Sequence, residues 1–241
     1  MKKALWLAGV FALTALPALA QSVSVDFGDT GSLASRSVEL ILLVTLLSLV
    51  PGLAVMVTCF PFIVTVLSIL RQALGLQQSP PNMVIISLAL FLTWFVMDPV
   101  FTEAWTKGIG PLTDGQIDAR QAMPLIATPF RGFMAARTNP ETFAALQALR
   151  PNETAALAEA PFSLLIPSFL LSEITRAFQI GFLIYLPFLI IDLVTAAILM
   201  SMGMMMVPPA VVSLPFKLAF FVVANGWTLV SSALVRSYTG G

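Results

Sequence analysis

From Phe162 to Val235 the chain runs through an almost unbroken apolar tract that holds only four charged side chains, Glu173, Arg176, Asp192 and Lys217. A bilayer-crossing helix needs about 20 apolar residues, so this tract has length for more than one crossing. It cannot serve as the surface of a water-soluble domain. The rest of the sequence has the same character. Apolar residues make up 58% and charged residues 10%, against roughly 25% charged in an ordinary soluble domain, and the mean hydropathy is +0.95. The missing polar surface must be replaced by lipid, by partner subunits, or by both.

Several function classes fall away on composition. Twelve basic residues balance twelve acidic ones, with no basic stripe that would track nucleic acid. The chain contains no histidine, which excludes Ser-His-Asp and Cys-His catalysis and most zinc chemistry. Cys59 is the only cysteine; without a disulfide partner or a second ligand it reads as a small buried hydrophobe. The segment GLAVMVTC from Gly52 lacks the later Gly-Lys-Ser/Thr of a phosphate-binding loop. The expectation is a non-enzyme with no catalytic residue, no metal and no cofactor.

The N-terminus reads as an export signal. Lys2 and Lys3 precede an apolar stretch that ends in Pro17 and the small-x-small triplet Ala18-Leu19-Ala20, the pattern cut by signal peptidase. Cleavage after Ala20 is expected; an uncleaved first membrane helix is the alternative. Such a signal implies a bacterial envelope protein whose mature N-terminus lies outside the cytoplasm.

The mature chain divides by composition. Residues 21–37 are polar and Gly/Ser-containing, a flexible lead-in. Residues 38–101 form a first hydrophobic helical hairpin, with apolar blocks on either side of the polar turn Arg71–Asn82, the second ending at Asp98-Pro99. Residues 102–161 carry most of the charge and are expected to form a small helical insert, with a helix start at Asn139-Pro140-Glu141. Residues 162–236 form a second hydrophobic hairpin, divided at Pro187, Pro208-Pro209 and Pro215, and 237–241 are a tail. Hydropathy suggests four membrane-length helices. Alternating them from an outside N-terminus puts the 102–161 insert on the periplasmic side, with Arg71 as weak positive-inside support. The fold class expected is an all-α membrane protein.

A lone charge among apolar residues is costly in hydrocarbon unless it is paired or faces water or protein. Glu173 and Arg176 stand three apart and share a helical face, so they can form a local pair; a subunit contact or a wet lining is the functional reading. Asp192 and Lys217 lie on opposite arms of the second hairpin, placed to pair across it or with a neighbouring subunit. Met200, Met202, Met204, Met205 and Met206 cluster before Pro208-Pro209. Methionine is soft and unbranched, so the cluster reads either as core filler or, repeated around a ring, as a compliant apolar collar.

Two long strings carry a family resemblance. MVTCFPFIVTVLSILRQALGLQQSPPNMVIISLALFLTWFVMDPV (Met56 to Val100) and SEITRAFQIGFLIYLPFLIIDLVTAAILMSMGMMMVPPAVVSLPFKLAFFVVANGW (Ser172 to Trp227) resemble the hallmarks of the FliP family of type III export-gate subunits. PFRGFMAARTNPETF (Pro129 to Phe143) resembles its middle segment more loosely. The similarity covers about residues 38–236. A virulence-type paralogous family shares the AFQIGF and GMMM segments; RQALGLQQSPPN, the signal and the long insert resemble the flagellar branch. The resemblance implies bent helical hairpins assembling into a helical ring of five copies, completed by FliR and FliQ at the flagellar basal body of the inner membrane, with other export-apparatus membrane proteins nearby. That core passes unfolded flagellar subunits outward and touches lipid but no nucleic acid. It further implies that Met204, Met205 and Met206 form a gasket around the closed pore. Phe133 and Glu173 match positions of subunit contact, and Arg176 is grouped with them. Leu146 stands at the family's second aromatic contact position, and Asn225 replaces the aspartate of a usual Asp-Gly-Trp. A secondary transporter is the remaining non-enzymatic alternative. It would need an internal repeat and a midplane polar site; no repeat is visible, and Asp192 alone is a thin ion site.

Overall fold

The computed structural model describes residues 33–76, 79–150, 154–204 and 206–239. The signal segment 1–20, most of the 21–37 lead-in and Met205 lie outside them. All regular structure among the described residues is helical. The chain divides into two compact units at Ser48/Leu49. The first contributes the start of α1 (Leu33–Met56); the second holds the remaining helices.

Within the second unit, α2 (Phe60–Ala73) is the central strut. Its buried side chains Phe62, Ile63, Val66, Leu67, Leu70 and Ala73 recur at helical spacing, so one continuous stripe faces neighbours. Pro61 sits in its first turn, where the missing N–H has no helical partner to lose. The stripe meets α3 (Asn82–Ala104) through Ile85, Ala89, Val96 and Met97, and α7 (Phe162–Ser201) through Ala177. The α2–α7 crossing is close because Gly181 lacks a side chain: a Cβ there would lie 2.4 Å from Ile69 Cδ1.

The charged middle region is helical and packs onto the apolar helices. After α3 the chain continues through a π-helical turn, Trp105–Ile109, and a single turn α4, Gly110–Thr113. Then come α5 (Ala119–Arg137) and α6 (Pro140–Ala148). A capping box opens α5: Gln121 N–H donates to Asp118 Oδ1 at 2.8 Å, and Asp118 N–H donates back to Gln121 Oε1 at 3.2 Å. Asn139 caps α6 by accepting from the N–H groups of Glu141 and Thr142. Met134 and Phe143 join Leu164, Leu165 and Phe169 of α7 in a second core cluster. The region therefore borrows its core from α7, as so short a segment must.

Three expected breaks are not breaks. The second apolar block does not end at Asp98-Pro99; helix persists through Pro99 to Thr113 as one 32-residue span candidate. Pro187 and Pro215 likewise lie inside helices, and α7 runs 40 residues with Pro167 and Pro187 in it. A proline removes one helical hydrogen bond, a loss that helices packed in apolar surroundings tolerate. Serine and threonine follow the same economy: Thr93, Ser168, Ser172 and Thr195 each donate to the carbonyl four residues back. The chain does turn at Pro208-Pro209, where α7 gives way to α8 (Pro209–Val223), and one further break has no proline to mark it. α8 and α9 (Gly226–Thr239) meet at 61° across Asn225, whose φ is +49°. Asparagine tolerates that left-handed conformation better than most residues.

Two described helices are long and apolar enough to cross a membrane alone, Asn82–Thr113 and Phe162–Ser201; counting each bent pair as one span raises the number to four.

Candidate functional site

The four charges of the long tract fall into two constellations. The first joins α7 to α8. Lys217 Nζ donates to Asp192 Oδ2 at 2.6 Å and to the Ala73 carbonyl at the end of α2 at 3.0 Å. Ser213 Oγ donates to the other carboxylate oxygen, Oδ1, at 2.6 Å. Ser213 stands one turn before Lys217 on α8, so both donors face α7 together. Lys217 is buried and Asp192 half-buried. Each strong polar atom has a partner, and three helices are tied at one point.

The second constellation joins α5, α7 and α9. Glu173 is wholly buried. It does not pair with Arg176, one turn along the same helix. Tyr238 Oη donates to Glu173 Oε2, and the Arg137 guanidinium approaches Oε1 at 3.7 Å. Arg137 Nη1 donates to the Ser237 carbonyl at 2.8 Å, and its Cζ stacks 4.1 Å above the Tyr238 ring. Arg176 turns to the same Ser237 carbonyl at 3.4 Å and lies 5.8 Å from the Phe62 ring. Phe133 stacks on Tyr238 at 6.0 Å and meets Phe169 edge-on at 5.8 Å. Leu146 packs against the Met134–Phe143 cluster.

This second group is unfinished. Arg137 Nε, Arg137 Nη2 and Glu173 Oε1 are buried without hydrogen-bond partners, and one carboxylate faces two guanidiniums. A cavity of about 300 Å³ opens beside it, lined by Arg137 and Arg176 with Asn139, Ser172, Thr175 and Gln179. Sequence reasoning missed Arg137 and Tyr238 as the partners of Glu173, since they lie 36 and 65 positions away and no spacing rule connects them. It also missed Ser213 as the second donor to Asp192.

Between α7 and α8 the methionine turn carries Gly203 at φ +74°, a conformation that suits glycine. Met204 is partly exposed and Met206 is 97% exposed. Aromatic and aliphatic side chains crowd the outer faces elsewhere: Phe91, Trp94 and Phe95 on α3, Phe178, Phe182 and Leu183 on α7, Val222 and Val223 at the end of α8. A soluble monomer rarely shows apolar patches of this extent.

Apolar outer faces, interior charge clusters and two to four membrane-length segments define an all-helical membrane protein. The chain belongs to the FliP family, whose sequence profile matches residues 43–234. It is 48% identical over 228 residues to the flagellar biosynthetic protein FliP of Caulobacter vibrioides, covering 93% of this chain and 85% of that protein. It is 45% identical to the FliP of Agrobacterium fabrum over 241 residues (97% and 98% covered). It is 43% identical to that of Bacillus subtilis over 205 residues (85% and 93% covered).

Proposed function

We propose that this chain is a pore-forming core subunit of the flagellar protein export gate, passing unfolded flagellar subunits across the inner membrane. Membership of the FliP family over residues 43–234 is the observation that carries the reading. The relatives named above are flagellar biosynthetic proteins, which favours the flagellar role over a virulence-type one. The exposed aromatic faces support assembly, since surfaces of this kind mark contact with protein or lipid. Copies of the chain would close into a ring of five, completed by FliR and FliQ, with bent helical hairpins stacked about a pore. The mature N-terminus and the 102–161 region would lie on the periplasmic side. Phe133, Glu173 and Arg176 would act at the contact between copies, Glu173 through the side chains it positions because it is itself buried.

Met204, Met205 and Met206 would form the gasket. The turn holds unbranched, polarizable side chains at the tip between two helices, and Met206 touches little of its own chain. The test is a motile bacterium whose own FliP gene is replaced by this one, with Met204–Met206 intact or changed together to glycine. The glycine variant is expected to raise the ion permeability of membranes carrying the complex while leaving the complex assembled. Unchanged permeability would remove the gasket role; failure of the intact gene to restore any export would remove the function.

A further inference from the structure

Asp98 sits halfway along the apolar Asn82–Thr113 helix and is exposed. Among the described residues it has neither an ion pair nor a side-chain hydrogen bond; the other acid nearby, Glu103, is bridged to Lys107 at 2.5 Å. Its neighbours on that face, Phe91, Trp94, Phe95 and Trp105, are 58–75% exposed. Pro99 beside it offers no N–H to the Phe95 carbonyl. A carboxylate in the middle of an aromatic face is costly in lipid unless it is paired, and no described residue pairs with Asp98, which leaves it open to a cation from another molecule.

The complementary surface is the arginine-lined cavity on another side of the same unit. Arg137 and Arg176 face it, Glu173 offsets one of the two charges, and two buried Arg137 nitrogens lack partners. Glu141 in the adjoining turn is exposed and lines no part of the cavity. The lining is polar throughout, with Asn139, Thr142, Ser172, Thr175 and Gln179 beside the two arginines, while Leu171, Phe178 and Phe182 are exposed elsewhere along α7. The two features lie at one level of the bundle. Met97, next to Asp98, packs in the core cluster with Phe62 and Ala177; Arg176 is next to Ala177 and lies over Phe62. α2 packs against both α3 and α7, and no residue of α3 lines the cavity, so the acid lies outside it. One face offers an acid on an aromatic ground, the other a surplus cation in a polar cavity. That relation is heterologous, the kind that closes rings.

We infer that Asp98 of one copy enters the Arg137/Arg176 cavity of the next copy, supplying the missing negative charge in a contact shielded by the aromatic side chains around it. This rests on the ring reading above and names its contact. A competitor inside the chain is Arg236, which lines an apolar cavity with Phe95 and Trp227 but does not bridge Asp98.

Two differently tagged full-length copies, co-expressed with the other gate proteins, test it. One carries Asp98→Cys and the other Arg176→Cys, and a short bifunctional maleimide is used because an Asp-to-Arg span exceeds disulfide reach; the native Cys59 is buried. A cross-linked species bearing both tags is expected at about tenfold or more over a control pair in which the second cysteine replaces exposed Met123. No such species in a preparation that still contains the oligomer would overturn the Asp98 contact alone. Loss of the oligomer already in the unmutated protein would overturn the ring. As a second arm, Asp98→Lys is expected to lower oligomer yield about tenfold, and adding Arg176→Asp to restore it. Rescue by Arg236→Asp instead, or native mass spectra in which Arg176→Asp loses a bound phospholipid rather than a copy, would also overturn it.

Discussion

The two charge constellations sit on the same long helix, α7, yet they are built on opposite principles. At Asp192 the carboxylate has a partner for each oxygen, and the Lys217 ammonium is shared between that carboxylate and the Ala73 carbonyl. At Glu173 two guanidiniums surround one acid, a gap of 3.7 Å separates the nearest charges, and three buried polar atoms are unpaired. A closed pair holds its own helices together and needs nothing further. An open cluster carries a surplus cation beside a cavity, and in apolar surroundings that surplus asks for an acid from another molecule. The first is a staple; the second is a socket.

Removing one partner of the staple should have the largest effect on the chain itself. Lys217→Ala leaves Asp192 and Ser213 without their cation and is expected to cost about 3 kcal/mol, measured as the unfolding midpoint in detergent. The paired change of Asp192→Leu with Lys217→Met should recover most of that loss, because apolar residues can replace an ion pair without penalty. Tyr238→Phe should cost less, about 1–2 kcal/mol, by stripping Glu173 of its one good hydrogen bond. Smallest of all, Arg176→Gln should change the stability of the isolated chain by under about 0.5 kcal/mol, since Arg176 is half-exposed and held by a long contact to Ser237 and a 5.8 Å approach to the Phe62 ring. The same variant should nevertheless lower the yield of the assembled ring. A ranking in which Arg176→Gln unfolds the chain as badly as Lys217→Ala would erase the distinction between staple and socket.

Much of the architecture was legible in the primary structure because hydropathy is a long-range average. The scarcity of charge over 162–235 declares an apolar environment however the prolines fall. Local punctuation was less dependable. Pro99, Pro187 and Pro215 read as stops by the rules for helices in water, but where neighbouring helices and hydroxyls can satisfy a freed carbonyl, a proline bends or merely interrupts the bonding. Pro208-Pro209 does mark a turn, but the break at Asn225 needed a residue in left-handed conformation, and there its amide oxygen accepts from the Thr228 hydroxyl at 3.2 Å. The candidate site was legible only as a set of suspicious charges. That Glu173 and Arg176 share a face follows from spacing; that Glu173 prefers Tyr238 follows only from tertiary packing, which brings α9 across α7. Tyr238 lay in what composition marks as a tail.

The claim beneath all of this is that the exposed apolar faces are interface. Native mass spectrometry of the detergent-purified full-length chain, co-expressed with the neighbouring gate proteins, measures it directly. The expected species is a discrete complex holding several copies of this chain, with five as the proposed number. A stable monomer carrying lipid but no protein partner would contradict it.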